Sequence, residues 1–208
     1  MTTKFLGLVL TLALAAAVAC SNAPPDDTAA YVRDLNAARA AKDAAFRTDA
    51  NSPVPVALRN TILPLAYFPP NPAYRVPAAL EPAPGDDIMR IPTSTGQVRT
   101  EQKYGTLEFS LLGHPLKLTA FVEEGSTDAS RLFVPFTDLT SGKETYGGGR
   151  YLDLDRTPTG IYVIDFNEAY NPYCCYSTNY DCPIPPPENR LPVPVRAGEK
   201  LPKAGPGA

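Results

Sequence analysis

Leu107-Glu-Phe-Ser-Leu-Leu-Gly-His-Pro-Leu-Lys-Leu-Thr-Ala-Phe-Val122 decides the fold class. Leu107, Phe109 and Leu111 alternate with Glu108 and Ser110, and Leu116, Leu118, Ala120 and Val122 alternate with Lys117 and Thr119. A period of two puts one set of side chains on a buried face and the other on a wet one, so each run reads as a half-buried strand. Gly113-His-Pro115 between them is turn composition, and the two runs together predict a β-hairpin.

The same alternation extends outward. Strands are expected at about 74–80, 87–93, 97–103, 131–136, 150–154 and 161–166, with turn signals between them. One helix is expected before them, over 28–47 (TAAYVRDLNAARAAKDAAFR). Alanine runs throughout it, Asp26, Asp27 or Thr28 can cap it, and Tyr31, Leu35, Ala38, Ala45 and Phe46 recur near helical spacing. Arg39, Asp43 and Arg47 are spaced to pair with one another on the other side. The expected architecture is therefore mainly β (α+β): an antiparallel β-sandwich or small β-barrel with one N-terminal helix packed on it.

The ends of the chain carry a different kind of information. Lys4, an apolar run from Phe5 to Val18 and the closing Ala17-Val-Ala19 have the layout of an export signal. The run is shorter than the roughly 20 apolar residues a membrane-spanning helix needs. Cys20 follows directly, an arrangement that resembles the lipobox of bacterial lipoproteins, although Ala17 stands where leucine is usual. The expected organisation is a signal peptide over 1–19, lipidation at Cys20, a tether over 20–27, one β-rich domain over 28–200 and a disordered tail over 201–208. Proline crowds the end of the chain, and Leu191-Pro-Val-Pro-Val195 reads as an edge strand or extended polyproline segment.

A formal net charge of −3 with scattered charges gives no basis for nucleic-acid binding. Partners are expected to be the membrane, through the lipid anchor, and a small molecule, glycan or envelope protein. No cofactor motif is present. Ser141-Gly-Lys143 looks like part of a phosphate loop, but that loop needs glycine where Thr137 stands and a hydroxyl where Glu144 stands. Gly147-Gly-Gly149 then breaks any following helix. The stretch reads as a turn over Asp138 to Lys143 and a glycine bend that lets the backbone pass close to something bulky.

Several segments carry a resemblance. Tyr67-Phe-Pro, Tyr74-Arg-Val, the long stretch Phe136 to Leu154, Asp165-Phe-Asn-Glu-Ala-Tyr-Asn-Pro-Tyr-Cys174, Cys182-Pro and Glu188-Asn-Arg-Leu191 closely resemble a bacterial family known only as domain of unknown function 1684 (DUF1684). The likeness runs from about 30 to 200. It implies an exported, often lipid-anchored protein and brings no activity with it. It also implies a disulfide between Cys174 and Cys182, in line with the oxidising compartment that export implies. This chain departs from the family pattern in having Cys175 directly after the first cysteine.

Cys175 is thus the odd thiol, and a redox role through it is one alternative. No metal site is expected: adjacent cysteines lack the spacing of tetrahedral zinc sites, and His114, the single histidine, lies far off in a turn. A histidine-based nucleophile has no Gly-x-Ser-x-Gly elbow to serve it. Paired carboxylates need no histidine, so a second alternative is a hydrolase acting through Asp165, with Asp153 or Arg150 nearby in sequence. The leading expectation is a non-enzymatic binding surface. Seven of the 11 tyrosines lie between 146 and 180, interleaved with polar residues. Tyr146, Arg150, Tyr151, Asp165, Asn167, Tyr170 and Asn171 are its candidate residues, because tyrosine presents broad apolar area with a polar tip. Against that stands a structural role, in which Arg150 pairs with Asp165 in a buried network while Asp165, Asn167 and Asn171 cap turns.

Overall fold

The structure is a computed structural model and describes residues 28–207 apart from 86 and 124–129. The expected signal peptide, Cys20 and the whole tether lie outside the described residues. Helix α1 (Thr28–Thr48) comes first, and a one-turn helix α2 (Arg59–Ile62) follows. Among the described residues seven strands follow in order: β1 (Arg75–Pro82), β2 (Ile88–Pro92), β3 (Val98–Leu111), β4 (His114–Glu123), β5 (Arg131–Phe136), β6 (Arg150–Asp155) and β7 (Ile161–Asp165). No helix among the described residues is long and apolar enough to cross a membrane.

Every ladder is antiparallel, in the order β6-β5-β4-β3-β1-β7, with β2 added to β3. The ends of this path, β6 and β7, are joined by a short loop, so the sheet curls into a nearly closed barrel. The opening hairpin is β3–β4, with Leu107 opposite Leu118 and Phe109 opposite Leu116. It turns on Leu112 and Gly113, both at positive φ, the twist that suits a two-residue hairpin loop. His114 is already in β4 and exposed.

The two strands expected at 97–103 and 107–111 are one strand. A bulge between Lys103 and Gly105 bends it, so its first half pairs with β2 and its second half with β1. Glycine is required at the bend, since a Cβ on Gly105 would lie 2.5 Å from the Glu81 carbonyl oxygen.

Leu107, Leu118, Leu132, Val134, Phe136 and Ile164 fill the barrel with no exposure at all. The proline-rich segment after residue 189 joins them, as Leu191, Val193, Val195 and Ala197 point into the same core. It is a strap across the barrel rather than an edge strand, a role that prolines at alternate positions allow because a strap needs few ladder hydrogen bonds. Asn189, fully buried at its start, stands in for a strand residue. Its side chain accepts from Thr119 N–H at 2.7 Å and donates to the carbonyls of Thr119 (2.8 Å) and Pro135 (2.7 Å). That bridges β4 and β5, which among the described residues pair at Phe121 with Phe133.

A second apolar cluster joins Phe46 of α1 to Val54, Ile62, Leu65, Cys175 and Tyr176. The rest of α1 is tied down by polar contacts, and here the expected helix pairing is corrected. Arg39 and Asp43 face the domain: Arg39 donates to the carbonyls of Phe68 (3.0 Å) and Asn167 (3.1 Å), and Asp43 accepts from Leu65 N–H at 2.9 Å. Backbone carbonyls for Arg39 and a backbone N–H for Asp43 outcompete solvated neighbours on the helix surface, whose ion pairs contribute only tenths of a kcal/mol. The tail expected to be disordered is also packed, with Gly207 N–H on the Cys175 carbonyl at 3.1 Å.

The glycine bend has a definite neighbour. Gly149 sits at φ +90°, and a Cβ there would lie 2.5 Å from Pro185 Cγ and 2.7 Å from the Phe136 carbonyl oxygen. Gly149→Ala is therefore expected to destabilise by about 3 kcal/mol, combining left-handed strain with overpacking. Gly147→Ala, whose nearest neighbour is 3.6 Å away, is expected to change stability by less than ~1 kcal/mol. Urea unfolding of both variants measures the difference.

Candidate functional site

The residues singled out in the sequence separate into three buried polar clusters and one open cavity. Arg150 opens β6 and is 1% exposed. Its Nη2 donates to Asp138 Oδ2 at 2.9 Å and to the Val195 carbonyl at 2.8 Å. Its Nη1 donates to the carbonyls of Ala197 and Glu199. Asp138 completes the arrangement by accepting from Thr140 N–H (2.7 Å) and Val195 N–H (3.1 Å). Burial pulls the Arg150 guanidinium below its ordinary pKa and the Asp138 carboxylate opposes the shift. The expected Arg150–Asp165 pair is thus not formed: the strap carbonyls and Asp138 take both Nη groups, and Asp165 ends a strand at the other edge of the sheet.

Asp165 belongs to a second cluster. Its carboxylate accepts from Tyr31 Oη at 2.8 Å and from the backbone and side-chain N–H groups of Asn167 at 2.9 and 3.0 Å. Arg75 stands 3.8 Å away. Asp165 caps the following 3-10 turn, as the structural reading expected. Asn167 in turn bonds both the N–H and the carbonyl of Asn71. The Tyr31 hydroxyl is held well above its ordinary pKa, first by burial and then by Asp165. With these partners Asp165 fastens the first turn of α1 to the barrel and has no open face for a substrate.

Glu199, also buried, is the third centre. It accepts from Lys42 Nζ at 2.6 Å, Asn171 N–H at 2.8 Å and Tyr176 Oη at 2.6 Å. Asn171 adds a side-chain bond to the Lys200 carbonyl. Asn171 is therefore part of the frame, and so is Tyr146, whose hydroxyl points at Cys174 Sγ, 3.8 Å away.

Tyr151 and Tyr170, by contrast, line a cavity of about 620 Å³. Three elements enclose it: the outer face of the sheet, the last turns of α1 and the segment from Tyr170 to Pro183. Phe133 and Tyr151 meet edge to face at 4.8 Å between ring centres, Tyr151 and Tyr170 at 5.8 Å, and Tyr173 and Tyr180 at 5.2 Å. Such contacts hold the rings at fixed angles. Tyr170 Oη donates to Asp153 Oδ2 at 2.9 Å, and Asp181 accepts from the N–H (3.1 Å) and hydroxyl (2.7 Å) of Thr95. Each carboxylate keeps acceptor capacity for a ligand. Lys42, anchored by Glu199, lies 5.2 Å from the rings of both Phe46 and Tyr170.

The cysteines are arranged differently from the expectation. Cys174, Cys175 and Cys182 are all thiols. Cys174 and Cys182 do adjoin, with Cys174 N–H donating to Cys182 Sγ at 3.1 Å, but no bond joins them. Cys175 has no exposure and burial pushes its thiol far up, so the redox role is not open to it. Lys42, Arg99, Phe133 and Asp181 of the cavity were missed in the sequence, because they come from elements that only the barrel's topology brings together.

A family profile described as "Protein of unknown function (DUF1684)" matches residues 60–200. The chain belongs to the DUF1684 family. The solution NMR structure of the uncharacterized protein from gene locus rrnAC0354 of Haloarcula marismortui is similar to it. The two are 36% identical with a TM-score of 0.66, over 84% of this chain and 96% of that one. Among curated proteins none matches. The family profile spans Arg150, Asp165 and most of the cavity wall but begins after α1, which supplies Lys42 and Phe46.

Removing the Tyr31 hydroxyl tests the role assigned to Asp165. Tyr31→Phe deletes a partly buried hydrogen bond to a carboxylate and is expected to lower stability by about 1.5 kcal/mol. An unchanged urea midpoint would show that Asp165 does not fasten the helix.

Proposed function

We propose that this DUF1684 protein is an exported bacterial lipoprotein, anchored in the cell envelope through Cys20, that binds a glycan in the aromatic cavity and does not act on it chemically. The observation that carries the reading is the cavity itself. Aromatic side chains locked edge to face stand beside carboxylates with spare acceptor capacity, in a space of about 620 Å³. Sugars present apolar C–H faces and hydroxyl donors, and this lining matches both. The envelope location rests on the export-type sequence before Cys20 and the cysteine's place after it. The non-enzymatic reading rests on Arg150 and Asp165, the strongest catalytic candidates in the sequence, being spent on the frame and turned away from the cavity.

The chain has no tryptophan, so its intrinsic fluorescence reports tyrosine, and four tyrosines line the cavity. Titration of the folded domain with N-acetylglucosamine oligosaccharides is expected to give a saturable fluorescence change without release of reducing ends. Tyr180→Ala removes one wall ring and is expected to weaken binding about tenfold, or ~1.4 kcal/mol, at an unchanged unfolding midpoint. No saturation would remove the glycan reading, and released reducing ends would replace binding by hydrolysis. In the producing cell, labelled palmitate is expected to be incorporated by the parent and not by Cys20→Ser.

A further inference from the structure

Cys182 forms part of the cavity wall, and its relation to Cys174 is more specific than proximity. Cys174 N–H donates to Cys182 Sγ at 3.1 Å, and the Tyr146 hydroxyl reaches Cys174 Sγ at 3.8 Å. Each cysteine is held from its own side. Cys182 exchanges backbone and side-chain bonds with Ser94 at 2.9 and 3.1 Å, and the next carbonyl, of Pro183, accepts from Tyr151 Oη. Cys174 lies in a 3-10 turn, Tyr173–Cys175, whose tyrosine packs on Phe46 of α1. The sulfurs are thus presented to one another by two segments that are fixed independently.

A bond donated to sulfur is strongest when that sulfur is a thiolate and weakest when it is half of a disulfide, so the Cys174 N–H and the Tyr146 hydroxyl favour the reduced pair. The neighbouring Cys182, with help from the Tyr146 hydroxyl, also brings the Cys174 thiol down to about 7 from its ordinary value against the opposing effect of burial, while Cys182 itself is pushed up. Cys174 is thus the sulfur of the pair that ionises first, and the thiolate is the attacking species in exchange.

We propose that Cys174 and Cys182, the second of which lines the cavity, are a reversible thiol–disulfide exchange site, oxidised by the disulfide of a small thiol. The Cys174 thiolate attacks one sulfur of that disulfide, forming a mixed disulfide and expelling one thiolate. Cys182 then loses its proton to solvent, attacks Cys174 Sγ and expels the second thiolate. The two protein sulfurs together lose two electrons and the small disulfide gains them, leaving two small thiols after protonation. The new bond closes residues 174–182 into a ring that carries Tyr180 and Asp181 of the cavity rim. The site stands on the thiol geometry alone, whether or not the cavity holds a glycan.

The test is equilibration of the folded domain in glutathione buffers of increasing oxidised fraction, followed by alkylation and peptide mass spectrometry. Cys174 and Cys182 are expected to lose alkylation together in one two-electron transition and to regain it when the buffer is reversed, while Cys175 stays unlabelled until the protein is denatured. Cys182→Ser is expected to trap a glutathione adduct on Cys174. The proposal is overturned if the native pair stays bonded in the most reducing buffer or stays a dithiol in the most oxidising one, and equally if the adduct forms on Cys175. Should Cys182→Ser not fold, the transition in the parent protein decides alone.

Discussion

One buried guanidinium orders the molecule. Arg150 takes the carbonyls of Val195, Ala197 and Glu199 and the carboxylate of Asp138. A charge removed from water costs several kcal/mol unless it is paired and its donors are filled. That penalty makes the position of the strap definite, since sliding it along the barrel would strand the charge. Fixing the strap places Leu191, Val193 and Val195 in the core and holds Glu199 at the base of α1. From Glu199 the constraint passes to Lys42 and so to the helix that walls one side of the cavity.

The helix illustrates how weakly an element can be tied by its apolar face and still be well placed. Only Leu35 and Phe46 are buried along α1. Its position is set by a seam of polar contacts from Tyr31 to Asp43, most of them to backbone carbonyls or buried carboxylates. Hydrogen bonds of this kind are directional, and each is modest in net energy. The seam accordingly specifies an orientation more than it adds stability, which is what a cavity wall requires. The polar residues expected to form a binding surface are for the most part this frame, and the aromatic residues between them make the cavity.

The period-two runs made the strands legible, because alternation follows directly from one face being buried. The β3 bend was not, because a bulge costs one residue of register and leaves the composition unchanged. The strap was read as an edge strand or polyproline segment because Leu191-Pro-Val-Pro-Val alternates proline with apolar residues; its place inside the barrel depends on Asn189, whose amide replaces a ladder that the sequence gives no way to see. Arg150 was found but its partner was mistaken. Asp165 was nearer in pattern, whereas Asp138 reaches the guanidinium from the opposite end of the β5–β6 connection. Two of the lining residues, Tyr151 and Tyr170, were legible from tyrosine density. Lys42, Phe46, Arg99, Glu101 and Phe133 come from α1, β3 and β5, elements that only the closed topology brings together.

A double-mutant cycle between Arg150→Met and Asp138→Leu, measured by urea unfolding, tests the central claim most directly. If the guanidinium is the organising charge, each single change leaves the other group buried and unpaired and costs about 3–5 kcal/mol. The double variant then loses less than the sum by about 2 kcal/mol or more. Additive losses to within about 0.5 kcal/mol, or an Arg150→Met protein of parental stability that no longer binds in the cavity, would contradict it.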